Sequence, residues 1–433
     1  MKIILDAFFD NNFGDDFFIS TILSRYPDAE FYVFWNRVHP AVLQRAADFG
    51  NLKILPANCM IIDEMRFDGY ILIGGDVFLN WADFSRRITC MQSVKRQGGF
   101  VALQGFNLYE DYCEKTVEDL RTMMHLADVI VPRDRASVER LQKLVPDVEV
   151  VASTDMAFTA RFDTPKTDNR EILGIAPRKK YLIDEETHQR YCDGVAAVAD
   201  GWLEKHPDGI VRFLAFSVGE FDDVAVSEEI IGRMQQGSRT EIAVHNGNLS
   251  AFMEQMRNCT AMLPTRFHGL VFALIYEIPF VAVTYEVKLN QLLDELNYSG
   301  LRLPYGEAFT PEQIAAAVAE LDTWQVDAGA LAAYYEKADR FFAALDRMVA
   351  AGREKEAEVP AGEFVCTALR DALNENAELK VKLEQLQMHY DYLKEDRDNV
   401  THLYNDLLAK SKSFKGLAFL LAKRIVMLFK KSE

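Results

Sequence analysis

The stretch AMLPTRFHGLVFALIYEIPFVAVTY, residues 261–285, predicts a strand, a helix and a second strand in direct succession. We expect the first strand to end before a turn at Pro264 and Thr265, and the helix to carry Arg266 and His268 in its first turn. A strand, a crossover helix and another strand are typical of a parallel sheet. The stretch therefore favours the α/β fold class.

The same alternation runs from residue 2 onward in two series, separated by the polar and turn-rich segment 160–172. The first series predicts the strands KIILDA, EFYVFW, LKILPA, GYILIGG, GFVALQG, DVIVPR and VEVVAS, with helices near residues 14–24, 39–48, 83–96, 114–126 and 134–143. The second predicts the strands LGIAP, IVRFLAF, EIAVH, TAMLPT and FVAVTY, with helices near residues 185–205, 224–236, 248–257, 266–277 and 287–295. We thus predict two doubly wound (Rossmann-like) domains, residues 1–160 and 161–345, facing a cleft where ligands bind at the carboxyl ends of the strands.

The last quarter of the chain has a different pattern. Residues 346–364 form a charged linker, and residues 365–409 show a heptad pattern that predicts a coiled coil and hence a homo-oligomer. A single long helix packed on its own domain is the alternative. Residues 410–433 are basic and amphipathic, which favours contact with an anionic membrane surface, although a docked terminal helix or a partner-binding helix fits equally.

Composition narrows the possible partners and the compartment. The formal net charge of −18 argues against nucleic acid as a partner, because phosphate binding needs a basic face. Six cysteines without a C-x-x-C pair or zinc-ligand spacing favour reduced thiols in a cytoplasmic protein, and we expect no metal. The N-terminus does not resemble a signal peptide, and no apolar run is long enough to span a bilayer.

Three segments of the first series end in residues suited to a ligand. In DNNFGDDFF, Asn11 or Asn12 can cap a helix, and the free amides of that helix N-terminus can meet an anionic or hydroxyl ligand. Asn12 and Asp15 are therefore candidate acceptor-binding residues, although by spacing alone Asp15 and Asp16 fit better as first-turn acids that stabilise the helix. Glycines at a strand end let a backbone approach a ligand closely. The remaining candidates follow two neighbouring strands: Gly74, Gly75, Asp76, Gln104 and Asn107.

Two arginines follow predicted strands. Arg133 precedes Asp134 where a helix begins, and an ion pair at that helix start is the interpretation we prefer. Arg178 lies beside Lys179 and Lys180 in the one basic cluster of the globular part. Three consecutive cations in an acidic protein indicate an anion site, with a solvated surface patch as the alternative.

Arg266 and His268 give the strongest signal. Cations at a helix N-terminus oppose the helix dipole by about 0.3–1 kcal/mol unless an anion joins them. We therefore expect an anion at this position. Lys288 supplies a further cation after the next predicted strand.

The stretch TRFHGLVFALIYEIPFVAVTYEVK resembles the hallmark of the polysaccharide pyruvyl transferase family, an S-x-R-x-H-x-x-I-F-A-L run followed by a proline, a strand and a Tyr-x-x-K turn. The resemblance covers about residues 3–295. Asp76 stands where the family often has a third glycine. Other similar segments follow in the same order: Asn12 to Asp15, Gly74-Gly75, Gln104-Gly105, Arg133 to Ser137, Asp155 to Ala157, and Arg178.

This resemblance implies a GT-B-like fold and a function. Family members attach pyruvate from phosphoenolpyruvate, as a ketal, to a sugar of a surface polysaccharide. The resemblance then implies that Arg178, Arg266 and Lys288 bind phosphoenolpyruvate, which is a co-substrate rather than a cofactor, and that His268 is the general acid. A role for His268 as a hydrogen-bonding group at the helix start is the alternative. The acceptor, a glycan or lipid-linked sugar, is expected against the first domain.

Two other functions compete with this one. The same architecture serves nucleotide-sugar-dependent GT-B glycosyltransferases. A non-catalytic scaffold, tethered to the membrane by the coil and tail, is the third hypothesis, and the intact Arg266 and His268 pair argues against it. We expect a cytoplasmic protein that is peripheral on the inner face of the cell membrane.

Overall fold

The structure is a computed structural model that describes residues 1–34, 50–55, 65–80, 82–160, 162, 165–179, 183–218 and 222–357. These residues lie in one compact unit, Met1–Ala361. The predicted helix near residues 39–48, the coiled coil and the basic tail lie outside the described residues and stay predictions. The predicted domain boundary near residue 160 also stays a prediction.

The first half of the unit contains a parallel sheet. Its six strands are β1 (Lys2–Asp6), β2 (Glu30–Phe34), β3 (Leu52–Leu55), β4 (Gly69–Ile73), β5 (Phe100–Phe106) and β6 (Val129–Pro132), in the order β3-β2-β1-β4-β5-β6. This order is that of a doubly wound dinucleotide-binding fold. The described helices of this half are α1 (Phe13–Arg25), α2 (Ser85–Arg96), α3 (Glu114–Leu126) and α4 (Arg135–Leu144).

The strands form where the sequence has continuous apolar runs. Every residue of β4 and β5 is buried, as expected for central strands covered by helices on both faces. The predicted seventh strand, VEVVAS, is wrong. Val151 donates a hydrogen bond to the carbonyl of Ile130 at 2.9 Å, and no strand follows in this part of the described chain.

The second half repeats the design with a smaller sheet. Strands β7 (Ile172–Ala176), β8 (Ile210–Ala215), β9 (Thr240–Val244) and β10 (Ala261–Pro264) are parallel in the order β10-β7-β8-β9, and β11 (Ala282–Thr284) pairs in parallel with β12 (Arg302–Pro304). The helices are α5 (Glu185–Lys205), α6 (Asp223–Ile231), α7 (Leu249–Arg257), α8 (Phe267–Ile275), α9 (Val287–Glu295), α10 (Pro311–Glu320), α11 (Ala328–Ala338) and α12 (Ala343–Ala357). The predicted helix over 224–236 ends at Ile231, and α12 runs into the segment that the sequence predicts to be a linker.

The two halves contact each other at the start of α1. The amide of Phe13 donates to the carbonyl of Phe216 at 2.9 Å, and Asp16 pairs with His245 at 2.7 Å in a fully buried contact. The last helix of the described residues, α12, then returns to the first half, where Asp346 pairs with Arg25 at 2.6 Å. The carboxyl ends of both sheets therefore meet around the α1 N-terminus. Among the described helices, none is long and apolar enough to cross a membrane.

Candidate active site

The N-terminus of α1 lies directly against the imidazole of His268. Asn12 caps α1 by accepting a hydrogen bond from the amide of Gly14 at 3.0 Å, and Asn11 takes a positive φ of 56° just before the helix. A Cβ on Gly14 would lie 2.0 Å from Nδ1 of His268. Only glycine allows this approach, so α1 of the first half forms one wall of the site around a side chain of the second half.

The imidazole of His268 is largely buried, which favours its neutral form. Its side chain is 14% exposed and makes edge contact with the ring of Phe18. Burial lowers the pKa of His268 to about 4, although Asp155 opposes this shift. Its Nε2 atom has no hydrogen-bond partner among the described residues and lies 3.8 Å from a carboxylate oxygen of Asp155. A buried ring nitrogen of this kind is suited to a bound ligand.

A chain of alternating charges leads from His268 to the cleft. Arg133 lies 3.5 Å from Asp155 and 3.8 Å from Asp76, and its guanidinium stacks over the ring of Phe267 at 4.5 Å. The expected ion pair of Arg133 at the start of α4 is wrong, because its salt bridges are with these two aspartates. Arg133 is therefore a central residue of the site that the sequence interpretation missed.

Lys288 joins the second half to the first. Its ammonium lies 2.7 Å from Asp76 and 2.6 Å from Glu286. Burial opposes its charge, but these two carboxylates outweigh burial and raise the pKa of Lys288. Burial likewise opposes the charge of Asp76, yet Lys288 and Arg133 lower the pKa of its carboxyl. Both groups are consequently charged at neutral pH.

Asp15 has the opposite protonation preference to His268. Burial and the charges of Asp16, Asp10 and Asp76 raise the pKa of Asp15 to about 8. The carboxyl group therefore holds a proton at neutral pH. Asp15 follows Gly14, the residue that lies against the His268 imidazole.

Arg266 has an internal anion as its partner. As the N-cap of α8 it lies 2.5 Å from Asp223, the first residue of α6, in a pair that is almost fully buried. Asp223 also accepts hydrogen bonds from the amides of Phe216 and Ser217 at 3.0 and 3.1 Å. Asp223 is thus an anion at the position where the helix-dipole argument predicts one. This contact orients the Arg266 guanidinium.

Tyr285 lies among the three predicted donor-binding cations. The guanidinium of Arg178 is 5.5 Å from the centre of its ring. Burial raises the pKa of Tyr285 to about 12, while the charges of Lys288, Arg178 and Arg266 oppose this shift. The Tyr285 hydroxyl is buried and has no hydrogen-bond partner within the described part of the chain. Arg178 therefore lies over the ring of Tyr285, and Lys288 and Arg266 are near enough for their charges to act on its hydroxyl.

The remaining sequence candidates of the first half differ in position. Gly74 has a φ of 145°, and a Cβ on Gly75 would lie 2.4 Å from Nη1 of Arg133. Asn107 donates from its backbone to the carbonyl of Gly75 at 2.8 Å, and its side chain contacts Asp134. Gln104 is fully buried and donates to the carbonyl of Phe341 at 3.0 Å, a packing contact. Its predicted contact with an acceptor stays a prediction.

The rim of the site has an aromatic residue that the sequence did not single out. Tyr109 follows β5, is 41% exposed, and donates its hydroxyl to Asp76 at 3.0 Å. Its only sequence signal is its place just after a strand end. Together with Asp76 it forms a polar and aromatic edge on the first-half side of the cleft.

Comparison with known proteins agrees with this arrangement. A family model described as polysaccharide pyruvyl transferase matches residues 3–287. In fold, the chain is similar to a candidate UDP-N-acetylglucosamine 2-epimerase from Listeria monocytogenes, with a TM-score of 0.52, 13% identity, and coverage of 84% of this chain and 99% of that chain. It is also similar to UDP-GlcNAc 2-epimerase from Methanocaldococcus jannaschii, with a TM-score of 0.50, 11% identity, and coverage of 81% and 99%.

At these identities the likeness to solved structures concerns the fold, and it confirms the predicted GT-B-like arrangement of two doubly wound sheets. No match is found among proteins of curated function. The family model spans both sheets and includes the Arg266, His268 and Tyr285 positions. This chain belongs to the polysaccharide pyruvyl transferase family.

Proposed function

We propose that the protein transfers pyruvate from phosphoenolpyruvate, as a ketal, to a sugar of a cell-surface polysaccharide or of its lipid-linked precursor. The observation that supports this most is that Arg178, Arg266 and Lys288 all act on Tyr285, whose buried hydroxyl has no hydrogen-bond partner in the described part of the chain. Phosphoenolpyruvate carries a carboxylate and a phosphate close together. Several fixed cations and one hydroxyl donor suit such a compact polyanion.

The three cations have different parts in this proposal. Arg266 is held by its salt bridge with Asp223, so its guanidinium keeps the same orientation when the donor binds. Lys288 is shared between Asp76 and Glu286, so a phosphate oxygen competes with these carboxylates for its ammonium. Arg178, which follows β7, is the third cation that we propose to bind the donor.

The reaction balances without any redox partner or metal. The methylene carbon of phosphoenolpyruvate takes up a proton, two hydroxyls of one sugar add to C2, and the bond from C2 to the phosphate oxygen breaks. The two sugar hydroxyls release two protons. One restores the group that protonated the methylene carbon, and the other leaves with the phosphate. The enzyme therefore needs a group that gives a proton and a group that accepts one.

The structure supports a division of this work between Asp15 and His268. The raised pKa of Asp15, about 8, suits a proton donor at neutral pH, and the lowered pKa of His268, about 4, suits a base that accepts the sugar hydroxyl proton. The sequence interpretation gives the acid role to His268 alone. Donor phosphate beside the imidazole would raise its pKa, because a nearby negative charge favours the protonated form.

The acceptor sugar fits the first-half side of the cleft. Asp76 and the exposed Tyr109 offer a carboxylate and an aromatic edge at this rim. These features support an acceptor site next to the donor cations, because Lys288 contacts Asp76 directly.

A thermal-unfolding comparison tests the donor. A ligand that binds only the native state raises the unfolding midpoint. We expect phosphoenolpyruvate to raise the midpoint of the full chain more than inorganic phosphate or pyruvate does. The matched variant is Tyr285→Phe, which keeps the ring under Arg178 but removes the hydroxyl and should reduce the shift. A larger midpoint shift with UDP-N-acetylglucosamine than with phosphoenolpyruvate would contradict the proposed donor.

The second candidate function, nucleotide-sugar-dependent transfer, is favoured by one observation, the fold likeness to UDP-N-acetylglucosamine 2-epimerases. The three cations favour phosphoenolpyruvate over a nucleotide sugar as the donor. Backbone amides at a helix N-terminus can bind a diphosphate, so a diphosphate does not require two arginines and a lysine. The scaffold hypothesis would require a cellular phenotype that survives His268→Ala but is lost on truncation after residue 364.

A further inference from the structure

Two helices of the second half bring three metal-ligating side chains to one point outside the active site. His188 and Cys192 lie one turn apart on α5, and Glu229 reaches them from α6. Nε2 of His188 is 3.0 Å from the carboxylate of Glu229 and 3.6 Å from Sγ of Cys192. Sγ lies 3.9 Å from the same carboxylate oxygen. In the described chain, this is the one group of three such atoms that could hold an ion.

These separations match those around a tetrahedral zinc ion. Zinc binds thiolate sulfur at about 2.3 Å and imidazole nitrogen or carboxylate oxygen at about 2.0–2.1 Å, which separates neighbouring ligand atoms by about 3.3–3.6 Å. The three measured distances lie around these values. An ion at the centre would need little rearrangement of the side chains.

The other ring nitrogen of His188 has the partner that a zinc-bound histidine usually has. Nδ1 lies 3.2 Å from the hydroxyl of Tyr305, which can accept its hydrogen bond and so leave the Nε2 lone pair directed at Cys192 and Glu229. Such a contact fixes the tautomer of a metal ligand. His188 and Cys192 are fully buried, whereas the Glu229 side chain is 40% exposed and leaves a route for an ion and a water molecule.

The cations next to this group have partners of their own. Lys179 pairs with Glu185 at 3.1 Å, and Arg233 pairs with Asp193 at 2.9 Å. Neither forms a salt bridge with Glu229 among the contacts of the described residues. The Glu229 carboxylate is thus available to a metal cation.

We propose that His188, Cys192 and Glu229 bind one zinc ion, with a water molecule as the fourth ligand. A thiolate with an imidazole selects zinc over magnesium or calcium, which prefer oxygen ligands. The ion links α5 to α6, and α6 begins with Asp223, the partner of Arg266. Zinc therefore stabilises the helix that orients Arg266. The proposal rests on this geometry and is independent of the proposed donor.

Metal content and cobalt spectroscopy of the purified full chain test the site. We expect about one zinc per chain after growth with zinc, since a thiolate and an imidazole are ligands that zinc favours. After removal of zinc by a chelator, titration with Co²⁺ should give a thiolate-to-cobalt charge-transfer band. Cys192→Ser should lose the band, and Glu229→Gln, at a partly exposed position, should weaken Co²⁺ binding while leaving the fold intact. Cys113→Ser, at an exposed cysteine outside the group, is the matched control and should behave as wild type.

Thermal unfolding gives a second readout. Zinc should raise the unfolding midpoint of the chelator-treated wild type and of Cys113→Ser, with a smaller rise for Glu229→Gln. The proposal is wrong if Co²⁺ gives no charge-transfer band with the wild type, or if Cys192→Ser keeps the band unchanged. Phosphoenolpyruvate binding does not enter either measurement, so a failure here leaves the proposed function untouched.

Discussion

The carboxyl edges of the two parallel sheets carry different charged side chains. The first-half edge supplies the carboxyl groups of Asp15, Asp76 and Asp155, with Arg133 between them. The second-half edge supplies the cations and an imidazole: Arg178, Arg266, Lys288 and His268. In a doubly wound fold, ligands bind at the carboxyl ends of the strands, but the fold does not determine which ligand binds. The charges at each edge indicate the chemical class of the ligand. On the proposed function, this difference favours the second half as the side that binds the anionic donor.

Loss of the His268 imidazole should lower the transfer activity more than any other change. His268→Asn removes the proposed base at the meeting point of the two edges, and we expect kcat to fall by about 10²–10⁴-fold, the usual contribution of a positioned acid or base. Phosphate release from phosphoenolpyruvate with acceptor measures this. The matched control is His125→Asn, which removes an exposed histidine that also pairs with a carboxylate, Asp147, at 3.1 Å. Equal activities of the two variants would remove His268 from the mechanism.

A methyl group between the two edges should have the next largest effect. Gly14→Ala places a Cβ 2.0 Å from the imidazole of His268, so the ring must move. Misplacement of a reacting group by about 1 Å can lower a rate by about 10²-fold. The control is Gly50→Ala, where a Cβ meets nothing within 4 Å. Wild-type kcat for Gly14→Ala would mean that the close contact of α1 with His268 is not needed for transfer.

Removal of the bridging ammonium should affect the donor more than the fold. Lys288→Met removes a charged hydrogen-bond donor worth about 1.5–3 kcal/mol, so we expect KM for phosphoenolpyruvate to rise by about 10–100-fold. Lys95→Met is the control, because Lys95 forms a comparable pair with Asp128 at 2.6 Å on the surface. A double-mutant cycle with Asp76→Asn then measures how strongly the two edges are coupled. Additive effects would show that the 2.7 Å contact carries no coupling.

The pH profile gives the smallest but most specific signal. A base must be unprotonated, so kcat/KM should fall as the pH drops through about 4, the lowered pKa of His268. An acid must be protonated, so kcat/KM should fall as the pH rises through about 8, the raised pKa of Asp15. Asp15→Asn should remove the alkaline limb and leave the acidic one. If the alkaline limb persists in this variant, another group donates the proton.

Much of the fold follows from local patterns, whereas the partners within the site do not. The strand and helix of residues 261–275 were predictable because apolar runs and turn residues determine them locally. The pairing of Arg266 with Asp223 was not, because the two residues lie 43 positions apart and an acid at a helix start is common. Arg133 was misassigned for the same reason, since Asp134 is its neighbour in sequence but Asp155 and Asp76 form its salt bridges.

The metal-ligating group shows a related limit. His188 and Cys192 have helical spacing in the sequence, but the third ligand, Glu229, comes from another helix. A search for paired cysteines does not detect such a set. The protonation states of Asp15 and His268 depend on burial, which becomes visible only when the two sheets are placed together.

Transfer of labelled pyruvate tests the central claim most directly. The full chain is incubated with phosphoenolpyruvate labelled in its carbon skeleton and with lipid-linked or polymeric sugar acceptors, and both the label in the glycan and the released phosphate are measured. We predict that the label enters the glycan in equal amount to the phosphate released, and that His268→Asn loses both together. Label that stays out of every glycan, or phosphate release that does not depend on the acceptor, would contradict the account.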